Sequence, residues 1–203
     1  MFNLPKTTEI RKIITKKVIY SKFKTELSGE KKKQFDGDIS KITIINELSP
    51  VSINIKEGEK VSSIFVLQVD LKHKKYNEKN LVLISKLFGQ KIVLVLQCND
   101  EIQLAIYQTK MLYSKWMKTE ECFIDIKGLT LDSVWENIVS QVSGIELDEE
   151  KTIDEQIVIE EEREKLIKLI EDLEKKARKE VQSKKKFELF QQIKKYQKKL
   201  EDY

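Results

Sequence analysis

The stretch from Lys60 to Lys110 constrains this chain most, because a long β-type run, a helix and two more apolar strands follow there without interruption. Val61 to Lys72 reads VSSIFVLQVDLK. The two-residue period of a strand puts Phe65, Leu67, Val69 and Leu71 on one side and Ile64, Val66, Gln68, Asp70 and Lys72 on the other. One face is wholly apolar, as a central strand requires. Asn77 then caps a helix whose Leu81, Ile84 and Phe88 recur at helical spacing before Gly89 stops it. Lys91 to Gln97, KIVLVLQ, reads as a buried strand. Cys98, Asn99 and Asp100 turn the chain into Glu101 to Lys110, where Ile102, Leu104 and Ile106 alternate. The order strand, helix, strand, strand predicts an α/β or α+β domain, a small mixed β-sheet with packed helices.

The flanks extend this pattern. Thr7 or Thr8 is expected to cap a short helix carrying Ile10, Ile13 and Ile14, and Ser28 to begin another that runs from Lys31 to Phe35 and closes around Gly37. Between them Lys16, Lys17, Lys22, Lys24 and Lys31 to Lys33 are interleaved with Tyr20, Phe23 and Leu27, either a phosphate-facing surface or solvated helix faces. Ile42, Ile44 and Ile45 give a first strand that Pro50 breaks, Val51 to Ile55 a second, and Glu57-Gly58-Glu59 a turn. Met111 to Trp116 ends a strand or forms a loop. Glu121 to Ile126 alternates like an edge strand ended by Gly128. Leu131, Val134, Trp135, Ile138, Val139 and Val142 form an amphipathic helix, with Thr130 or Asp132 as cap and Gly144 beyond its end, expected to pack on the sheet.

After Gly144 there is neither Gly nor Pro. Residues 1–144 therefore read as the globular part, 145–152 as an acidic linker and 153–203 as a helical arm. Leu166, Ile170, Leu173 and Ala177 step by four, three and four residues, and so do Leu189, Ile193, Tyr196 and Leu200, with Tyr203 three further on. That is coiled-coil spacing. Gln182-Ser183-Lys184-Lys185-Lys186 interrupts the seams. An antiparallel helical hairpin buries both without a partner and is the favoured reading. A single helix of roughly 75 Å pairing with another chain is the alternative. In either form Leu166, Ile170, Leu173, Leu189, Ile193 and Leu200 are the partner-binding seam.

Composition narrows the function classes. With 203 residues, 40% of them hydrophobic, the chain supports one ordinary core. Its 38 basic and 34 acidic residues nearly cancel, so a nucleic-acid argument must rest on local clustering. Cys98 and Cys122 are too few for a disulfide framework or a four-thiolate metal site. No apolar run resembles a signal peptide or approaches the roughly 20 residues of a membrane span, so a cytoplasmic protein is expected. Six scattered glycines make no phosphate loop. No cofactor is expected.

Two places carry candidate chemistry. Asp70 and Lys72 share a strand face, the D-x-K arrangement in which a carboxylate holds Mg²⁺ and an ammonium assists the hydrolytic water. The expected helix, three strands, helix, strand order is similar to the core of PD-(D/E)XK nucleases. Such a site needs another carboxylate, yet Val51 to Ile55 offers only Asn54, with Glu57 and Glu59 in the turn and Asp36 and Asp38 upstream. His73, the single histidine, and the two cysteines lack sequence neighbours that would activate them. The second place is the tip of the arm. Lys175, Lys176, Arg178, Lys179, Lys184, Lys185 and Lys186 collect there against Glu180 alone, and phosphate binding follows from such clustering.

MFNLPKTTEI, FVLQVDLK followed by KIVLVLQCNDEIQLAI, and EKKARKEVQSKKKFELFQQIKKYQKKL together resemble a bacterial family, domain of unknown function four-three-nine-one, over almost the whole chain. Asp70 stands where that family's pattern leads one to expect Glu. Members are often encoded beside helicases and DNA methyltransferases of restriction or phage-defence loci. The resemblance implies a role in such a system but assigns no activity and carries over no catalytic residue. Together with the basic arm it leads to the expectation of a non-enzymatic accessory protein that docks on a helicase or methyltransferase subunit and reaches nucleic acid through that arm. A Mg²⁺-dependent nuclease using Asp70 and Lys72, and a coiled-coil dimer scaffold, are the alternatives.

Overall fold

The computed structural model describes residues 2–148 and 150–201. The chain divides into two units, one ending at Leu147 and the other beginning at Asp148. The first is a mixed sheet with helices. Its strands are β1 (Glu9–Ile14), β2 (Ile39–Leu48), β3 (Ile64–Leu71), β4 (Lys91–Cys98), β5 (Glu101–Tyr107), β6 (Met111–Tyr113) and β7 (Met117–Lys118). Their spatial order is β1-β2-β3-β4-β5-β6, with β7 also on β5. Neighbours are antiparallel except β3 and β4, which run parallel. A parallel pair needs a crossover, and α4 (Glu78–Ser85) supplies it. Asn77 caps α4 as expected, accepting the Lys79 N–H at 3.0 Å. The helix ends before Phe88, while Gly89 sits in the following turn at φ +67°.

Alternation along the strands builds two layers. Leu67, Val69 and Leu71 of β3 and Ile92, Leu94 and Leu96 of β4 pack with Ile19 of α1 (Lys16–Lys22), Phe35 of α2 (Glu30–Asp38), and Leu81 and Ile84 of α4. Ile64, Val66, Val93, Val95 and Ile102, on the other side, are buried as well. The face that reads as mixed is thus apolar where it is covered and polar only toward Gln68 and Asp70. On β5 and β6 lies α5 (Leu131–Ser143), with all six expected apolar residues buried. Thr130 forms its capping box with Ser133, and Gly144 closes it in the left-handed conformation.

Three local expectations are corrected. Ile10, Ile13 and Ile14 lie on β1 and not on a helix: β-branched residues pair with β2, and only Ile14 is buried. Thr8 caps nothing; its hydroxyl donates to the Pro5 carbonyl and accepts from buried Asn46. Val51 to Ile55 is not a strand either. Pro50 starts the short helix α3 (Pro50–Ile53), held by a Ser49–Ser52 capping box and ended by Asn54 at φ +53°. Glu121 to Ile126 keeps the alternating burial of a strand, with Cys122 and Ile124 inside and Phe123 out, but joins no ladder. Its backbone instead bonds the Gln141 side chain of α5, through the Asp125 N–H at 3.0 Å and the Phe123 carbonyl at 2.9 Å.

The second unit is the helical hairpin. Helix α6 (Ile153–Lys179) starts in a capping box between Thr152 and Glu155, and α7 (Ser183–Glu201) follows after three residues. The two helices pack together. Ile170, Leu173, Ala177 and Ile193 form their core with Leu189, Tyr196 and Leu200 against it, and Leu166 is buried too. The seams read as partner-binding are therefore matched to each other within the chain. No helix of the described residues is long and apolar enough to cross a membrane.

Candidate nucleic-acid interface

The hairpin turn is short because Gln182 donates its N–H back to the Glu180 carboxylate at 2.9 Å, and Lys186 donates to the Gln182 carbonyl at 2.9 Å to start α7. All seven expected basic residues flank this turn, Lys175, Lys176, Arg178 and Lys179 from the end of α6 and Lys184, Lys185 and Lys186 from the first turn of α7. Lys186 is half-buried and the others are exposed. Lys175 pairs with Asp172 at 3.6 Å and Arg178 with Glu174 at 3.7 Å, both exposed contacts along one helix. Lys176, Lys179 and Lys185 line an open groove at this end with Glu180, Glu188, Leu189 and Gln192.

The two halves of this cluster differ in what the helices themselves require. Cations in the last turn of α6 complement the negative end of its dipole, so Lys176, Arg178 and Lys179 are explained by helix stability alone. Lys184 to Lys186 are not. They occupy the positive end of α7, which has no acidic residue in its first turn, so the dipole disfavours them. Three lysines placed against the dipole and beside three more cations suit a surface that receives an anion.

The globular unit uses much of its own basic stretch internally. Lys16 bonds Asp36 at 2.8 Å and the Ile39 carbonyl at 2.5 Å, Lys22 bonds the Leu87 carbonyl, and Lys32 stands 4.5 Å over the Tyr20 ring. Burial alone would raise the Asp36 carboxyl, but the Lys16 ammonium and the Tyr20 hydroxyl outweigh it and hold it below its ordinary value. Lys17, Lys24, Lys31 and Lys33 remain on the surface.

At the D-x-K triplet the strand ends between the two residues. Asp70 lies within β3, opposite Lys41 of β2 and Gln97 of β4, whereas Lys72 is exposed just beyond the strand. Asp70 accepts from Gln68 at 2.7 Å, and Gln68 also donates to Gln97 at 2.8 Å. The carboxylates named as complements are engaged elsewhere: Asp36 by Lys16 and Tyr20, Asp38 by the Asn77 N–H at 2.9 Å and the Asn80 amide at 3.0 Å. Among the described residues no three carboxylate, imidazole or thiol groups come together as metal ligands. Exposed His73 stands 3.8 Å from Asp38. Both cysteines are buried, and burial pushes the Cys122 thiol up to about 11, far from a reactive thiolate.

Two features lay outside the sequence reading. Phe187 and Phe190 are 62% and 47% exposed on α7, which their absence from the four-three-four seam already signals. Asp132 does not cap α5; it accepts the N–H groups of Glu59, Lys60 and Val61 and so holds the loop before β3.

No curated protein and no solved structure matches the chain. A family model does, the domain of unknown function DUF4391, over residues 2–200. With the match spanning the sheet, its covering helices and nearly the whole hairpin, this chain belongs to the DUF4391 family.

Proposed function

We propose that the chain is a non-enzymatic accessory subunit that contacts nucleic acid electrostatically through the tip of its helical hairpin. The observation that carries this reading is the placement of Lys184, Lys185 and Lys186 at the disfavoured end of α7, with Lys185 lining one groove together with Lys176 and Lys179. Phosphates recruited there displace counterions, which supplies affinity without base readout. In this reading the α/β unit docks on a larger subunit, a helicase or DNA methyltransferase of a restriction-type or anti-phage system. Ile10 and Ile13 on the edge strand β1 and Val18 on α1 are exposed apolar residues that such docking would cover. A fluorescence-anisotropy titration of labelled nucleic acid with the full chain, at several salt concentrations, tests the arm. Affinity that falls steeply with salt is expected, and no binding at low salt refutes the reading.

The nuclease alternative has less support. Asp70 stands opposite Lys41 and Gln97 on the neighbouring strands and accepts from Gln68 of its own strand, and among the described residues no three potential metal ligands come together. The dimer scaffold has less still, since the hydrophobic seams already occupy each other within one chain.

A further inference from the structure

Helix α7 has two faces of different chemistry. Leu189, Ile193, Tyr196 and Leu200 form the seam against α6. Lys184, Phe187, Phe190, Lys194 and Lys198 step by three, three, four and four residues, and so make a second stripe on the side away from that seam. Gln191 and Lys195 flank it. The three lysines are exposed, and so are both phenyl rings. Neither ring belongs to the apolar cluster that holds α6 and α7 together, and two exposed phenyls one turn apart leave apolar surface in water. The acidic residues of α7 are Glu188, at the margin of the stripe, and Glu201 at the helix end.

We propose that this outward stripe of α7 binds single-stranded nucleic acid, with Phe187 and Phe190 as stacking platforms for unpaired bases and Lys184, Lys194 and Lys198 tracking the phosphates. This rests on the reading of the hairpin as a nucleic-acid contact and specifies its ligand. The charge of the stripe is complementary to a polyanion. The rings select among polyanions, because unpaired bases expose π-faces that a phenyl can cover, whereas a duplex hides them in its stack and presents only backbone to the surface of a helix. The contact is sequence-tolerant, since every base has such a face.

The test compares the full chain with Phe187→Ala/Phe190→Ala and with Phe187→Leu/Phe190→Leu. The leucine pair keeps bulk and helix propensity but removes the ring faces. Each is titrated against a labelled oligothymidine strand and a duplex of equal length across a salt series, with circular dichroism confirming helix content. Expected are tighter binding of the single strand than of the duplex by the unaltered chain, and a loss of about tenfold or more in single-strand affinity for both variants. The dependence of affinity on salt should keep its slope, because no lysine has changed. If single strand and duplex bind alike and neither variant changes affinity, the stacking inference is overturned while the electrostatic tip stands. If the unaltered chain binds neither, both are overturned.

Discussion

The Asp38 carboxylate accepts a hydrogen bond of 3.0 Å from the Asn80 side-chain amide, and both side chains are buried. The same carboxylate oxygen takes the Asn77 N–H, so the end of α2 is tied to the start of α4, the crossover that makes β3 and β4 parallel. Asp38→Ala leaves two donors, the buried Asn80 amide and the partly buried Asn77 N–H, without their acceptor. A loss of roughly 2–3 kcal/mol in urea denaturation is expected. A loss within about 0.5 kcal/mol, the range of ordinary surface substitutions, would show that the tie does not hold the crossover.

Asp36 gives the fold a pH dependence of known sign. Its folded-state carboxyl is held below the ordinary value, so its contribution is present above the usual carboxylate range near 4 and is lost as pH falls through the folded value. The side chain is 46% exposed, which screens the ion pair and limits the effect to about 0.5–1 kcal/mol. Asp36→Asn should therefore lower the stability measured at pH 7, and the gap to the unaltered chain should close in acid. A gap that persists undiminished at low pH would contradict the ionic origin.

Gly58 is fixed by contact and not by its backbone angle. A Cβ there would lie 2.8 Å from the Asp132 nitrogen and 2.4 Å from Oδ1 of the Asp132 carboxylate, which accepts the Glu59 to Val61 N–H donors. Gly58→Ala must push this loop off the start of α5, and a cost of about 1–3 kcal/mol is expected in thermal or denaturant unfolding. Unchanged stability would mean that the loop does not need Asp132.

Periodic segments were legible from sequence alone. β3, β4, β5, α5 and the two arm helices follow from side-chain alternation, seam spacing and caps such as Asn77 and Thr130. The failures came where tertiary partners outweigh local pattern. The spacing of Ile10, Ile13 and Ile14 reads as a helix, yet pairing with β2 makes the segment a strand. VSINI looks extended, yet Pro50 and the Ser49–Ser52 box make it helical. ECFIDI is extended, but a glutamine from α5 takes the backbone groups a neighbouring strand would have bonded. At the arm tip the basic residues were legible because charge clustering needs no structure. The roles of Asp38 and Asp132 were not, because their partners lie 42 and 73 residues away.

The central claim is that lysines at the hairpin tip neutralise phosphates, and counting released counterions tests it most directly. The full chain and its Lys184→Gln/Lys185→Gln/Lys186→Gln variant would be titrated with a labelled single strand from low to physiological salt. None of the three lysines belongs to the seam, so the hairpin should persist. The account predicts a linear fall of log affinity with log salt, with a slope shallower by about 2 in the variant, since each phosphate contact on a single strand contributes roughly 0.7. Equal slopes for the two proteins, or no binding by the unaltered chain, would contradict it.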